Sequence, residues 1–191
     1  MNLILASSSP FRRAVLSKLQ LPFEQFSPDI DESQRAQELV QDMVLRLALE
    51  KAQAVSVRFN HHFIISSDQV AVCKHTILGK PGNYEKAIQQ LQFQSGEEVI
   101  FYTSLVLLNS VDNSYQQHLA ETVVSFRELT LSQIKNYLKK DQPYNCAGSF
   151  KSESLGAALF RSIKTDDPDA LLGLPLLSLV EMLSRVGLDP L

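Results

Sequence analysis

The chain has 191 residues, enough for one sizeable α/β domain or for two small lobes around a cleft. Its 45% hydrophobic and 20% charged residues describe an ordinary globular protein, not a disordered or membrane-embedded one. Eighteen basic and 21 acidic residues leave a formal charge of -3. That excludes a global basic field for nucleic acid or an anionic membrane, so phosphate chemistry must draw on a local cluster of Lys and Arg.

In chain order, Asn2 to Ala6 reads as a short apolar strand. Ser7-Ser8-Ser9-Pro10 follows, and then an amphipathic helix from Phe11 to Leu19. Before that helix there is no basic segment, and the apolar run is too short for a signal peptide or a membrane span. Phe23 to Ser27 reads as a second strand and Pro28 to Ser33 as an acidic loop. Gln37 to Phe59 is a long helix with Val40, Met43, Val44, Leu47, Ala48, Lys51 and Val55 on one stripe.

Phe63 to Ser67 is a buried-type strand ending at Asp68, and Val70 to Cys73 continues beyond a bend into a turn at Lys74-His75. Leu78 to Gly82 is a loop and Tyr84 to Gln94 a helix. Glu97 to Asn109 and Tyr115 to Arg127 are long strands joined by a hairpin at Asp112-Asn113-Ser114. Thr130 caps a helix running to Lys140. Cys146 to Gly156 is a loop or short strand of small residues, and Pro175 to Val186 is a final helix stopped by Gly187. The order predicts a mixed, highly twisted sheet flanked by helices. No boundary between domains is legible. Cys73 and Cys146 lie far apart without metal-ligand spacing, as befits reduced thiols of a cytoplasmic protein.

Five clusters can carry chemistry. Ser7-Ser8-Ser9-Pro10-Phe11-Arg12-Arg13 combines a helix N-terminus with two arginines able to clamp phosphate oxygens; otherwise it is a capped helix with solvated arginines. Asp29-Ile30-Asp31-Glu32 offers oxygen ligands for a hard divalent cation, or is a solvated acidic loop. Lys51, on an apolar stripe, either snorkels or meets an anion inside a cleft. Asp68 lies past a buried strand, where α/β sheets place ligands; it suits a general base, a metal ligand, or merely the cap of a turn. Nearby, Gly79-Lys80-Pro81 sets a lysine on a stiff turn. Finally, Ser149, Lys151 and Glu153 share one face if their segment is extended, as a phosphate contact and a base-reading carboxylate or as an exposed ion pair.

These pieces, in this order, resemble the Maf family of nucleotide pyrophosphatases. The carrying motifs are LILASSSPFRRAVLSKL (3–19), IDE (30–32), LALEKA (47–52), IISSDQVAV (64–72), ILGKP (77–81), FYTSLVLLN (101–109), CAGSFKSESLGAALF (146–160) and GLPLLSLVEML (173–183). The resemblance implies one α/β domain over 1–191 with a deep substrate cleft, open to description as two lobes. It implies hydrolysis of a nucleoside triphosphate to monophosphate and pyrophosphate with a divalent cation, magnesium, manganese or cobalt. Asp68 would be catalytic and, with Glu32, would face the metal. Ser7, Arg12, Arg13, Lys51, Lys80 and Lys151 would hold phosphates.

Pyrimidine-specific members of the family carry Ser-Pro-Arg-Arg, Asp-Thr-Val and Ile-Gln-Gly. Here Phe11, Gln69 and Glu153 stand at the distinguishing positions. This resembles the branch acting on 7-methyl-GTP, where the first position is usually Trp. Stacking of an aromatic ring on cationic N7-methylguanine is worth ~1–2 kcal/mol. Glu153 would accept from N1–H and the exocyclic amine. The alternatives are another triphosphate such as dTTP or UTP, and a non-catalytic nucleotide sensor that inhibits cell division. The expected partner is a small nucleotide, not a nucleic-acid polymer or a membrane, and a homodimer is compatible with the reading.

Overall fold

The computed structural model describes residues 1–191. It contains five α-helices and eight strands of a mixed sheet, an α/β fold of the predicted kind. The strands are β1 (Asn2–Ala6), β2 (Phe23–Phe26), β3 (His62–Ser66), β4 (Gln69–Cys73), β5 (Thr76–Leu78), β6 (Glu98–Asn109), β7 (Tyr115–Phe126) and β8 (Phe160–Thr165). The helices are α1 (Pro10–Ser17), α2 (Val40–Ser56), α3 (Tyr84–Gln94), α4 (Leu131–Asp141) and α5 (Leu176–Arg185). Hydrogen bonding orders the strands β2-β1-β3-β6-β4-β5, with β7 pairing β6 and β8.

The chain divides into two compact units, each built from separated stretches. One comprises Met1–Gln69, Tyr102–Ala120 and Asp167–Leu191, the other Val70–Phe101 and Glu121–Asp166. The chain enters the second unit along β4 and again partway along β7, so no linker composition marks a boundary. No helix is long and apolar enough to cross a membrane.

In the first unit β1 pairs in parallel with β2 and β3, and β3 runs antiparallel to β6. Side chains alternate across these strands. Leu3, Leu5, Phe63, Ile65, Leu105 and Leu107 pack on one face with Val15, Leu16, Leu179 and Leu183 of α1 and α5. Ile4, Ala6, Ile64, Val106 and Leu108 pack on the other with Ala48, Ala52 and Val55 of α2. Helix α2 starts later than its periodicity predicts because Gln37 adopts φ 61° and Leu39 is extended. Helix α5 begins after Pro175, and Asp167 caps it from outside by accepting from the N–H groups of Leu177 (2.8 Å) and Ser178 (3.3 Å).

In the second unit β4 and β5 form a hairpin whose turn residues Lys74 and His75 both have positive φ. The three-residue β5 is too short to show in the sequence pattern. Helix α3 is capped by Asn83 and α4 by a reciprocal Thr130–Gln133 box. Phe150 sits edge-on to Phe101, Phe126 and Phe160, with centroids 4.8–5.5 Å apart. The strand after α4 is β8, at 160–165, and not the segment 146–156. Its polar FRSIKT carries little apolar alternation because it pairs only with β7.

Candidate active site

Three consecutive residues at the end of β3 are each tied to a different part of the first unit. Ser66 Oγ donates to the Ala48 carbonyl of α2 (2.6 Å), and Ser67 Oγ to the Gly173 carbonyl (2.7 Å). The Asp68 N–H donates to Ser104 Oγ of β6 (3.0 Å), and Ser104 N–H returns a bond to the Asp68 carbonyl (2.9 Å). Ser104 Oγ also donates to Val44 O (2.6 Å), so one hydroxyl joins α2, β6 and the turn at Asp68. These residues are buried, so each hydroxyl needs such a partner. The sequence reading missed Ser104 and Gly173, because hydroxyls and glycines in apolar strands and turns announce no contact.

Lys51 does not snorkel. It is 5% exposed, and its Nζ lies 2.5 Å from Asp68 Oδ1 and 2.8 Å from Glu32 Oε1. The apolar stripe of α2 delivers it there, one turn beyond Leu47 and Ala48. Asp68 is 8% exposed, whereas Glu32 is mostly in water. The Glu32 loop is fastened to α2 by Arg46. This guanidinium grips both oxygens of Glu38 (2.5 and 2.7 Å), bonds Glu50 (3.0 Å) and donates to Ser33 O (3.1 Å). Arg46 holds the Glu38 carboxyl down at about 2. The sequence reading passed over this network.

Ser9 caps α1, its Oγ accepting from the Arg12 N–H (3.3 Å). Ser7 is buried and its Oγ accepts from Ser9 N–H (3.1 Å) and Arg12 Nη1 (3.4 Å). Arg12 Nε donates to the Gly173 carbonyl (2.9 Å). Protein surrounds the guanidinium although part of the residue is exposed. Burial pulls its pKa below the ordinary value, and the negative charges of Asp68 and Glu32 oppose that shift. Ser7, Arg12, Glu32, Lys51 and Asp68 therefore converge. Arg13 does not join them: it is exposed, with Nη1 3.5 Å from Gln25 Oε1. Phe11 is half-buried on the first turn of α1. The amide nitrogen of Gln69 is spent on Thr103 Oγ1 (2.9 Å) and the carbonyls of Ala170 (2.9 Å) and Leu171 (3.2 Å).

In the second unit the segment 149–153 is not an extended strand, so the condition for the one-face reading is not met. Gly148 and Ser149 both have positive φ, and 152–154 form a turn. A Cβ on Gly156 would lie 2.1 Å from the Lys151 carbonyl oxygen, so the backbone doubles back there. Lys151 Nζ donates to Asp141 O at the end of α4 (2.7 Å), and its N–H donates to Tyr137 Oη (3.1 Å). Lys80 and Glu153 are exposed. Burial pushes the Cys146 thiol up. The charges of Glu153 and Asp141 add to that shift, and those of Lys151 and Lys80 oppose it.

No group of three or more His, Cys, Asp or Glu side chains forms a cage for a metal. The available acidic pair, Asp68 and Glu32, meets at Lys51 Nζ.

The chain resembles three curated proteins over nearly its whole length, each named 7-methyl-GTP pyrophosphatase. That of Pseudomonas savastanoi is 51% identical, covering 98% of both chains. That of Pseudomonas aeruginosa is 50% identical, again over 98% of both. That of Colwellia psychrerythraea is 48% identical over 100% of this chain and 95% of its own. The model of the Maf-like protein family matches residues 2–186, and the chain belongs to the Maf family.

Proposed function

We propose that this protein hydrolyses 7-methyl-GTP to 7-methyl-GMP and pyrophosphate in the cytoplasm. The observation that carries the reading is the buried Asp68 at the end of β3, held by Lys51 beside Glu32 and within the field of Arg12. Relatives of that name at about half identity support the choice of substrate. Its two unpaired cysteines suit the compartment.

Water attacks the α-phosphorus, the α–β bridging P–O bond breaks, and pyrophosphate leaves. Asp68 Oδ1 is engaged by Lys51, while Oδ2 accepts no hydrogen bond from the protein and is the oxygen to take the water's proton. Lys51 has one donor left after its two carboxylates, and Arg12 has Nη2 left after Ser7 and Gly173. Both donors serve phosphate oxygens. Phe11 stacks on the base. Glu153, Lys80 and Lys151 are carried by sequence resemblance as base- and phosphate-contacting groups.

The donor set fits a hard divalent cation. Two carboxylates without imidazole or thiolate suit magnesium or manganese, which take one or two protein oxygens and complete their shells with phosphate and water. Asp68 and Glu32 would hold it, and when bound it supplies charge neutralisation for the leaving pyrophosphate.

The test is pyrophosphate release from 7-methyl-GTP, GTP, dTTP and UTP, with and without magnesium and with excess chelator. The expected result is metal-dependent turnover with 7-methyl-GTP preferred, and a loss of at least ~100-fold in Asp68→Asn with nucleotide binding kept. No release from any triphosphate would favour the sensor reading; preference for dTTP would overturn the substrate.

A further inference from the structure

We propose that the last turn of α4 is a positioning device for Glu153, with Tyr137, Asp141 and Ser154 as its parts. The role presupposes that Glu153 reads the base, as proposed above. The Glu153 side chain is exposed, so little packing fixes its direction and its aim depends on where its backbone is held. Both sides of it are held by one helix end. Two residues before it, the Lys151 N–H donates to Tyr137 Oη (3.1 Å) and Lys151 Nζ to Asp141 O (2.7 Å). One residue after it, Ser154 Oγ lies 2.8 and 2.9 Å from the two Asp141 carboxylate oxygens and donates between them. The Ser154 N–H also reaches back to Lys151 O (3.4 Å). Glu153 thus rides on a turn whose two ends are pinned to the same stretch of α4.

The groups are placed for the turn and not for the helix. A carboxylate on the last turn of a helix faces the negative end of the macrodipole, so Asp141 is unfavourable to α4 itself. The bonds that Asp141 accepts from outside α4 both come from the residues flanking Glu153. Tyr137 is 4% exposed, and its phenol supplies the acceptor for the Lys151 N–H. Burial pushes that phenol above its ordinary value and Asp141 adds to the shift, so the group stays neutral at any ordinary assay pH. Past Ser154 the chain has no slack, because the backbone at Gly156 already lies against the Lys151 carbonyl. A residue that aims a base-reading carboxylate changes the ratio between substrates, whereas one that only supports the fold lowers activity on all of them alike.

The experiment measures kcat/KM for 7-methyl-GTP and UTP in the full-length wild type, Glu153→Ala, Ser154→Ala, Ser154→Thr, Tyr137→Phe, and the doubles of Ser154→Ala and Tyr137→Phe with Glu153→Ala. Thermal melts identify any variant that does not fold. Ser154 is exposed, so its replacement carries the test if Tyr137→Phe fails to fold. Glu153→Ala should cut the preference for 7-methyl-GTP by about tenfold or more, the size of a charge-assisted hydrogen bond. Ser154→Ala and Tyr137→Phe should each cut it by about two- to tenfold, the size of one hydrogen bond, with UTP turnover nearly unchanged. Ser154→Thr keeps the hydroxyl and should keep the wild-type ratio. In the Glu153→Ala background neither change should move the ratio further, because no carboxylate is left to aim. An unmoved ratio in Ser154→Ala and Tyr137→Phe, a common loss on both nucleotides, or a shift as large without Glu153 as with it would overturn the positioning role while leaving the base-reading role of Glu153 intact. A wild-type ratio in Glu153→Ala would overturn that base-reading role, and the positioning role with it.

Discussion

Replacing Lys51 by methionine removes the cation from the buried pair while keeping most of the stem's volume. The Glu32 contact is largely in water and contributes ~0–1 kcal/mol. The Asp68 contact is different, because Asp68 is 8% exposed and its carboxylate would lose the cation it touches. Breaking a buried pair costs about 3–5 kcal/mol. The expected destabilisation is therefore about 3–5 kcal/mol at pH 7. Urea unfolding of both proteins at pH 7 reads this directly, provided the slopes agree. A difference under about 0.5 kcal/mol would mean that Lys51 does not compensate a buried charge.

Gly156→Ala should unfold the protein at distinctly lower temperature, by more than ~2 kcal/mol of stability, because the new Cβ meets the Lys151 backbone carbonyl; an unchanged melt would refute the close approach. In Glu38→Gln the charged part of Arg46's grip on the loop carrying Glu32 is lost, while its bond to Ser33 O stays. The Glu38 carboxyl is held at about 2, below its ordinary 4.5, so its contribution is present above 4.5 and fades as pH falls toward 2. Thermal midpoints of wild type and Glu38→Gln should therefore differ at pH 7 and converge by pH 2; a constant gap would contradict the ion pair. Alkylation of Cys146 should be faster in Glu153→Gln and slower in Lys151→Met. Removing the negative charge lets the thiol ionise more easily, and removing the positive one does the reverse. Cys73 is fully buried and should stay silent, so rates that ignore both changes would place Glu153 and Lys151 elsewhere.

Much of the fold was legible because period and punctuation are local. Alternating or continuous apolar runs marked β1, β3, β6 and β7, and the 3.6-residue stripe marked α2. The strands β5 and β8 were not, one being too short and the other too polar to carry a period. Asp68 could be singled out because it ends a buried strand, and Lys51 because it breaks an apolar stripe. Sequence alone could not decide between snorkelling and ion pairing for Lys51, since that depends on what packs over α2. Likewise Arg12 and Arg13 are indistinguishable neighbours until the helix phase sends one to Gly173 and leaves the other in water. Lys151 turned to a helix carbonyl because its segment is a chain of tight turns set by Gly148 and Gly156 and not a strand. The sequence by itself determined which chemical groups exist and on which element each rides. Tertiary structure decided which of them meet, because the partners that hold Arg12, Lys51 and Asp68 lie far along the chain, and two of them, the Gly173 carbonyl and the Ser104 hydroxyl, carry no signature in one dimension.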